Sequence, residues 1–389
     1  MEEKFIPLSV PNIKGNEIKY VTSALEAEWV STGGEMINRF ERDIAEYVRA
    51  DGAAACQSGT AGIHLALHYL GVEAGDAVIV PALTFIAAVN PVRYEGAEPI
   101  FMDCDDSLCM DPVKLGEFLE NECEQRADGA LYHKDSGRRI RALIVVHIFG
   151  NMADMDKIIS LAESYGLPVV EDATEALGTR YTEGRYKGRF AGTIGDIGIY
   201  SFNGNKIITT GGGGMVVARD KRALDKIKYL STQAKDDAAN FVHNEVGYNY
   251  RMTNVQAAIG VAQLERLEEF IGIKRRNYLH YKAGTERISG ARLLGFREDI
   301  RPNYWFYSLY LEDGAADKQT VIDGLAQRKI QSRPIWGLIN EQKPYAGSIC
   351  YRLEVCAKYY ERVVNIPCST NLSEADADRV LDAVRAILS

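Results

Sequence analysis

The sequence GIYSFNGNKIITTGGGGMVVA, residues 198–218, places a lysine between two apolar runs. Residues 198–202 and 215–218 predict buried strands, because each run is short and apolar. Lys206 lies in the connection, and an ammonium beside two core strands is costly unless it is paired or used chemically. Its position favours Schiff-base chemistry, since the glycines that follow let backbone approach a ligand closely. The alternative is a lysine that reaches from the loop into solvent.

Short apolar runs alternate with helical patterns over most of the chain before residue 250. The predicted strands are residues 53–56, 77–80, 99–102, 142–146, 167–170, 198–202 and 215–218. Strands that are apolar on both faces and separated by helices indicate an α/β fold with a mostly parallel sheet covered by helices. Such a sheet binds its ligand at the carboxyl ends of the strands.

The last third of the chain has a different pattern, and two domains are expected from the length of 389 residues. Residues 254–281 predict one long helix, and a strand near residue 307 and a last helix from residue 374 follow. We therefore expect a large α/β domain over residues 1–250. Residues 251–389 would form a linking helix and a smaller C-terminal α+β domain.

Composition excludes several classes of function. The net charge is -9 and no basic face is evident, which argues against nucleic-acid binding. The seven cysteines form no C-x-x-C pair, so we expect neither a disulfide framework nor a structural metal site. This cysteine usage is typical of a protein in a reducing cytoplasm. No signal-peptide pattern opens the sequence, and no apolar run reaches the ~20 residues of a membrane span.

Three groups of polar and aromatic residues follow predicted strands. The sequence QSGTAG, residues 57–62, opens a helix where free N–H groups and the hydroxyls of Ser58 and Thr60 could bind a phosphate. Asp172 ends a strand and could bind a protonated pyridine nitrogen, while Phe85 could stack on a flat ring. The alternatives are a simple helix cap, a structural acid and a buried aromatic.

In chain order, a phosphate cup, a stacking face, a pyridinium partner and Lys206 follow one another. Together with WVSTG at residues 29–33, EDATEA at 171–176 and GYNYRMTN at 247–254, they span nearly the whole chain. The sequence closely resembles the nucleotide-sugar aminotransferase (DegT-type) family. The resemblance implies a fold-type I pyridoxal phosphate (PLP) enzyme whose active sites are shared across a homodimer.

The resemblance also implies roles for individual residues. Lys206 would bind the cofactor covalently and move protons, and Asp172 would bind the ring nitrogen. The remaining cofactor contacts would be Ser58, Gly59, Thr60, Phe85, Glu175 and Ser201, with Asn249 and Arg251 reaching the phosphate from the second subunit. Trp29, Thr32 and Arg333 would contact the sugar nucleotide.

Two positions, Glu175 and His147, allow more than one interpretation. Glu175 stands where many relatives carry Gln or His, and an acid there would have to be protonated or turned away from the cofactor phenolate. His147 ends a strand, so it could approach the site or be a core histidine with its hydrogen bonds satisfied.

Residues 201–214, 232–235 and 332–336 most resemble one subgroup of the family. That subgroup transfers an amino group, with glutamate as the donor, to C4 of a UDP-linked 4-keto-6-deoxy-N-acetylhexosamine. The alternatives are a GDP-4-keto-6-deoxymannose 4-aminotransferase of the perosamine type and a non-catalytic regulator that binds PLP or a sugar nucleotide.

Overall fold

The fold is known from a computed structural model that describes residues 4–389. Its strands are β1 Ala54–Cys56, β2 Ala77–Pro81, β3 Glu98–Met102, β4 Cys123–Gln125, β5 Leu131–His133, β6 Ile140–Val146, β7 Val169–Asp172, β8 Arg180–Tyr181, β9 Ile197–Ser201, β10 Gly214–Ala218, β11 Lys235–Asp237, β12 Val242–His243, β13 Ala291–Leu293, β14 Ile300–Arg301, β15 Tyr307–Leu311, β16 Arg333–Pro334, β17 Ile349–Tyr351 and β18 Val363–Ile366. Its α-helices are α1 Glu17–Glu26, α2 Glu35–Val48, α3 Gly59–Tyr69, α4 Asn90–Tyr94, α5 Pro112–Asn121, α6 Met155–Tyr165, α7 Lys221–Ser231, α8 Asn254–Leu264, α9 Leu267–Thr285, α10 Lys318–Gln327, α11 Glu354–Arg362 and α12 Glu374–Leu388.

An eight-stranded sheet organises the large domain, in the order β1-β10-β9-β7-β6-β2-β3-β17. Every pairing from β9 to β17 is parallel, and β10 runs antiparallel to both of its neighbours. The prediction of an α/β fold with a mostly parallel sheet is confirmed, because strands buried on both faces need helices on both sides. The ends of β7 and β9 bring Asp172 and Ser201 to one edge of the sheet.

Local chemistry sets where the site-forming helix begins. Ser58 is the N-cap of α3, and its hydroxyl accepts a hydrogen bond from the Ala61 N–H at 3.1 Å. The helix therefore starts directly after β1 and buries most of its length against β9 and β10. This packing directs the helix N-terminus towards the carboxyl ends of the neighbouring strands.

A four-stranded antiparallel sheet, β13-β15-β18-β16, forms the core of the small domain with α9, α10 and α12. The single long helix predicted over residues 254–281 is wrong, since α8 ends at Leu264 and α9 begins at Leu267. The break has a packing reason. Helix α8 packs against α1 and α2 of the large domain, whereas α9 packs against α12 and β13 of the small one.

Segments from both ends of the chain cross between the regions built on the two main sheets, and a division at residue 250 stays a prediction. Strand β17 belongs to the C-terminal part of the chain but pairs with β3 of the large sheet. Near the N-terminus, the Ile6 N–H donates to Lys329 and the Leu8 carbonyl accepts from Cys368. Within residues 4–389, no helix has the length and apolar content needed to cross a bilayer.

Candidate active site

A cavity of about 350 Å³ opens at the carboxyl edge of the large sheet. It brings together eight residues predicted from the sequence: Ser58, Gly59, Thr60, Phe85, Asp172, Glu175, Ser201 and Lys206. Its wall also includes Thr84, Thr174, Asn203, Asn205, Trp305 and Trp336. The cavity therefore joins chain segments separated by nearly 280 residues.

One end of the cavity is the N-terminus of α3. The first-turn N–H groups of this helix have no intrahelical carbonyl to bind, and they carry the positive end of the helix dipole. A Cβ on Gly59 would lie 2.7 Å from Thr174 Cγ2, and one on Gly214 would lie 2.5 Å from the Ser58 carbonyl carbon. Only glycine allows these close approaches, which leave an open cup of backbone donors suited to a phosphate.

Asp172 is a buried carboxylate without a cation of its own. It is 3% exposed, and its Oδ1 accepts one hydrogen bond from the Thr174 N–H at 3.0 Å. No lysine or arginine of residues 4–389 lies within ion-pair distance of it. Burial raises its pKa, and this is opposed by Thr174 and by the more distant charge of Lys206. A protonated ring nitrogen would supply the missing positive partner.

Lys206 lies in the connection between β9 and β10, with its side chain 12% exposed. Its Nζ is 3.7 Å from Glu175 Oε1 and 4.2 Å from the centre of the Trp305 ring. The distance to Glu175 is too long for a hydrogen bond. The ammonium is therefore partly buried and incompletely paired, which differs from the alternative of a lysine that reaches from the loop into solvent.

Glu175 is turned towards the lysine, and burial raises its pKa to about 7. Its Oε2 accepts the Phe149 N–H at 2.8 Å, which leaves Oε1 to face Lys206. Near neutral pH, a large share of these carboxyl groups is protonated. This raised pKa agrees with the first of the two expected conditions, and a contact between Glu175 and the cofactor stays a prediction.

Aromatic side chains form the opposite wall. Phe85 is 52% exposed, and its ring lies 6.4 Å from that of Trp336, so its face is free to stack on a ligand. Trp305 and Trp336 were not predicted as site residues. The sequence contains one signal for Trp336, since it belongs to segment 332–336, but only Arg333 of that segment is predicted to contact the substrate.

Several predicted residues lie outside this cavity. Asn249 is exposed and accepts a hydrogen bond from Gln233 at 3.2 Å. Trp29 is 62% exposed, and Thr32 and Arg333 are exposed as well. Their assignments stay predictions, because they concern a second subunit and a nucleotide sugar.

Arg251 requires a correction. It is 5% exposed, forms an ion pair with Glu41 on α2 and donates to the Ala55 carbonyl at 3.2 Å. A guanidinium buried in this pair is not available to a phosphate in another subunit. Its role is to tie residues 247–254 to β1 and α2.

His147 is a core histidine with its hydrogen bonds satisfied, the second of the two possibilities left open. It is fully buried, with Nε2 2.8 Å from Glu171 Oε2, and its Nδ1 accepts the Ala153 N–H at 3.2 Å. Both ring nitrogens are therefore used inside the protein.

The donor set fits PLP in four respects. The backbone cup suits a phosphate, Asp172 lacks a cation, the Phe85 face is free, and Lys206 is incompletely paired. A PLP-dependent aminotransferase is the class of protein that this fold and this cavity define. The sequence profile of the DegT/DnrJ/EryC1/StrS aminotransferase family matches residues 11–385, and the chain belongs to this family of sugar aminotransferases.

Three similar proteins illustrate the range of the family. The GDP-perosamine synthase of Caulobacter vibrioides is 36% identical, over 98% of this chain and 98% of that one. The UDP-4-amino-4,6-dideoxy-N-acetyl-beta-L-altrosamine transaminase of Campylobacter jejuni is 29% identical, over 98% and 97%. The crystal structure of the aminotransferase TlmJ from Streptoalloteichus hindustanus has a TM-score of 0.88 at 26% identity and covers 99% of both chains.

Proposed function

We propose that this sugar aminotransferase transfers an amino group from glutamate to C4 of a UDP-linked 4-keto-6-deoxy-N-acetylhexosamine, for surface-polysaccharide or nonulosonic-acid synthesis in the cytoplasm. The observation that carries the transaminase chemistry is the partly buried, incompletely paired Lys206, which shares one cavity with Asp172, a buried carboxylate that has no cationic partner among residues 4–389. The UDP-sugar class is supported by the resemblance of residues 201–214, 232–235 and 332–336 and by the Campylobacter transaminase.

The side chains would divide the work as follows. When bound, PLP supplies an electrophilic carbon and a ring that accepts electrons. The N–H groups at the start of α3, with Ser58, Thr60 and Ser201, would bind its phosphate. Asp172 would hold the proton on its ring nitrogen, and Phe85 would stack on its face. Lys206 Nζ would carry a proton to and from the substrate carbon, and the aromatic wall would exclude water.

A GDP-linked 4-keto-6-deoxymannose is the second candidate substrate. It is favoured by the 36% identity to the Caulobacter GDP-perosamine synthase, which exceeds the 29% identity to the UDP-sugar transaminase. A non-catalytic regulator is a third possibility, but it gives no reason for Lys206, Asp172 and Ser201 to share one cavity.

An absorbance titration of the purified, PLP-loaded protein tests the proposal. Glutamate should remove the visible absorbance of the lysine-linked cofactor, and UDP-4-keto-6-deoxy-N-acetylglucosamine should restore it. Restoration by GDP-4-keto-6-deoxymannose alone would replace the UDP substrate by the GDP one. If neither sugar restores the absorbance while glutamate removes it, both sugar assignments are wrong. Aspartate and glutamine serve as controls for the donor.

We also propose a homodimer in which Asn249 reaches the partner's cofactor site. Support comes from the family resemblance and from the β11–β12 hairpin and the residues after it, where the apolar side chains of Phe241 and Val246 are 78% and 81% exposed and could be covered by a second subunit. Light scattering should give twice the mass of 43.1 kDa. Mixing Lys206→Ala and Asn249→Ala subunits should create one intact site per mixed dimer. Failure of the mixture to exceed the activity of both parents would contradict shared sites.

A further inference from the structure

Lys206 has two close neighbours whose roles the reaction outlined above leaves open. Glu175 Oε1 lies 3.7 Å from its Nζ, and the Trp305 ring centre lies 4.2 Å from the same atom. We propose that Glu175 holds the proton that Lys206 exchanges and that Trp305 positions the lysine between this carboxyl group and the cofactor. The proposal rests on the assignment of Lys206 as the covalent residue in the proposed function.

Glu175 is fixed in place for this task. Its Oε2 is occupied by the Phe149 N–H at 2.8 Å, and its main-chain carbonyl accepts from the Asn303 side chain at 2.8 Å. Only Oε1 is left, and it faces the lysine. The side chain is 4% exposed, so water offers little competition as a proton acceptor.

Trp305 is held at three points. Its indole N–H donates to the Asn205 carbonyl at 2.8 Å, and its main-chain N–H donates to Asn303 Oδ1 at 2.9 Å. Its own carbonyl accepts from Lys274 Nζ at 2.9 Å. A ring fixed in this way presents its face to the ammonium, which it attracts more strongly than the neutral amine. Asn303 bonds to both Glu175 and Trp305, so the two neighbours of Lys206 are anchored to one side chain.

The proton balance is simple. The Lys206 ammonium gives one proton to the Glu175 carboxylate, which leaves a neutral amine with a free lone pair and a neutral carboxylic acid. The reverse transfer restores both charges, and no proton crosses to solvent.

The surrounding charges are few. Burial raises the pKa of Glu175 to about 7, Lys206 acts to lower it and Asp172 on β7 acts to raise it. His147 lies 2.8 Å from Glu171 and acts to lower the pKa of Asp172. Because its pKa lies near 7, Glu175 exists in both protonation states at neutral pH and can accept or return a proton.

Trace acetylation of the full-length chain freed of cofactor tests the proposal without any catalytic turnover. The measured quantity is the acetylation rate of Lys206 with acetic anhydride, divided by that of the exposed Lys187, across pH 5.5–9. In the native sequence, this ratio should fall about tenfold around pH 7, because ionised Glu175 then retains the ammonium form. Glu175→Gln should abolish that step and give about tenfold faster labelling above pH 8.

Trp305 is tested in the same experiment. Trp305→Leu should raise the labelling ratio several-fold at every pH, and Trp305→Phe should stay close to the native ratio because it keeps an aromatic face. Phe85→Leu is the matched control, since it removes an aromatic ring from the same cavity without removing a neighbour of Lys206.

A step near pH 7 that persists in Glu175→Gln would overturn the role of Glu175. Equal ratios for Trp305→Leu and Phe85→Leu would overturn that of Trp305. These outcomes are separable from the proposed function. If the Glu175→Gln and Trp305→Leu variants are labelled like the native chain while the native enzyme turns over normally, only this inference is refuted. If labelling follows the prediction but neither sugar is turned over, only the substrate assignment is refuted.

Discussion

Two buried glutamates, four residues apart, show how one side chain becomes structural and another chemical. Glu171 is fully buried and interacts with His147 Nε2 and three main-chain N–H groups, those of Gly192, Ile194 and Gly195. Burial works against its ionisation, but the His147 hydrogen bond and these N–H groups hold its pKa below the ordinary value. Glu175 receives one N–H group and faces an ammonium at 3.7 Å, and burial raises its pKa to about 7.

Burial alone does not determine whether a carboxyl group is charged in this protein. The number of donors aimed at each carboxylate does, because a carboxylate keeps its charge in a low-dielectric interior only when hydrogen bonds replace water. The Glu171 cluster is saturated and supports the sheet. Asp172, Glu175 and Lys206 lack a full set of hydrogen-bond and ion-pair partners. Groups in this condition are available to bind a ligand and to exchange a proton.

The sharpest test removes the incompletely paired amine. Lys206→Ala should lower turnover by at least about a thousandfold and abolish the visible absorbance of the bound cofactor, because both the covalent link and the proton carrier are lost. Absorbance and steady-state kinetics measure this. The control is Lys274→Met, which removes the buried lysine bonded to the Trp305 and Cys368 carbonyls and should keep the absorbance. Normal turnover by Lys206→Ala would refute the mechanism.

A second test neutralises the carboxylate that lacks a cation. Asp172→Asn should reduce kcat about a hundredfold, because the charge aimed at the ring nitrogen disappears. Its free energy of unfolding without cofactor should stay the same or increase, since burial disfavours the Asp172 charge. Kinetics and denaturant unfolding give the two values. A large loss of stability would show instead that Asp172, like Glu171, stabilises the fold.

The third test replaces Glu171, the glutamate whose carboxylate already has several hydrogen-bond partners. Glu171→Gln should lower the free energy of unfolding by about 3 kcal/mol, because buried N–H groups lose a charged acceptor. Turnover per folded, cofactor-loaded molecule should remain within a few-fold of the native value. Urea unfolding and active-site titration measure these quantities. A selective collapse of kcat with unchanged stability would contradict the structural role.

The smallest effect is a difference in pH dependence. Glu175 has a raised pKa in the folded chain, so its contribution to stability is present below the unfolded value and is lost as pH rises towards 7. The native chain without cofactor should lose about 2 kcal/mol relative to Glu175→Gln between about pH 5.5 and 7.5. Glu171 has the opposite sign, since its pKa is lowered and its contribution is lost as pH falls. Unfolding at several pH values would detect both trends, and parallel curves for Glu175→Gln and the native chain would contradict this assignment.

The amino-acid sequence by itself determined the class of fold and eight of the residues that line the candidate cavity. Short strands that are apolar on both faces can only be buried in a covered sheet, and residues at their carboxyl ends must meet at one edge. That local logic predicted the cavity residues Ser58, Phe85, Asp172 and Lys206.

Tertiary structure decided which polar groups are satisfied. Trp305 and Trp336 reach the cavity from residues more than 90 positions beyond Lys206, a contact that no local pattern encodes. The burial of Arg251 against Glu41 and of His147 against Glu171 likewise depends on packing between distant segments. Packing between distant segments also explains why Glu171 and Glu175 differ. Both are acids in one short segment, and only the folded chain determines how many N–H donors each carboxylate receives.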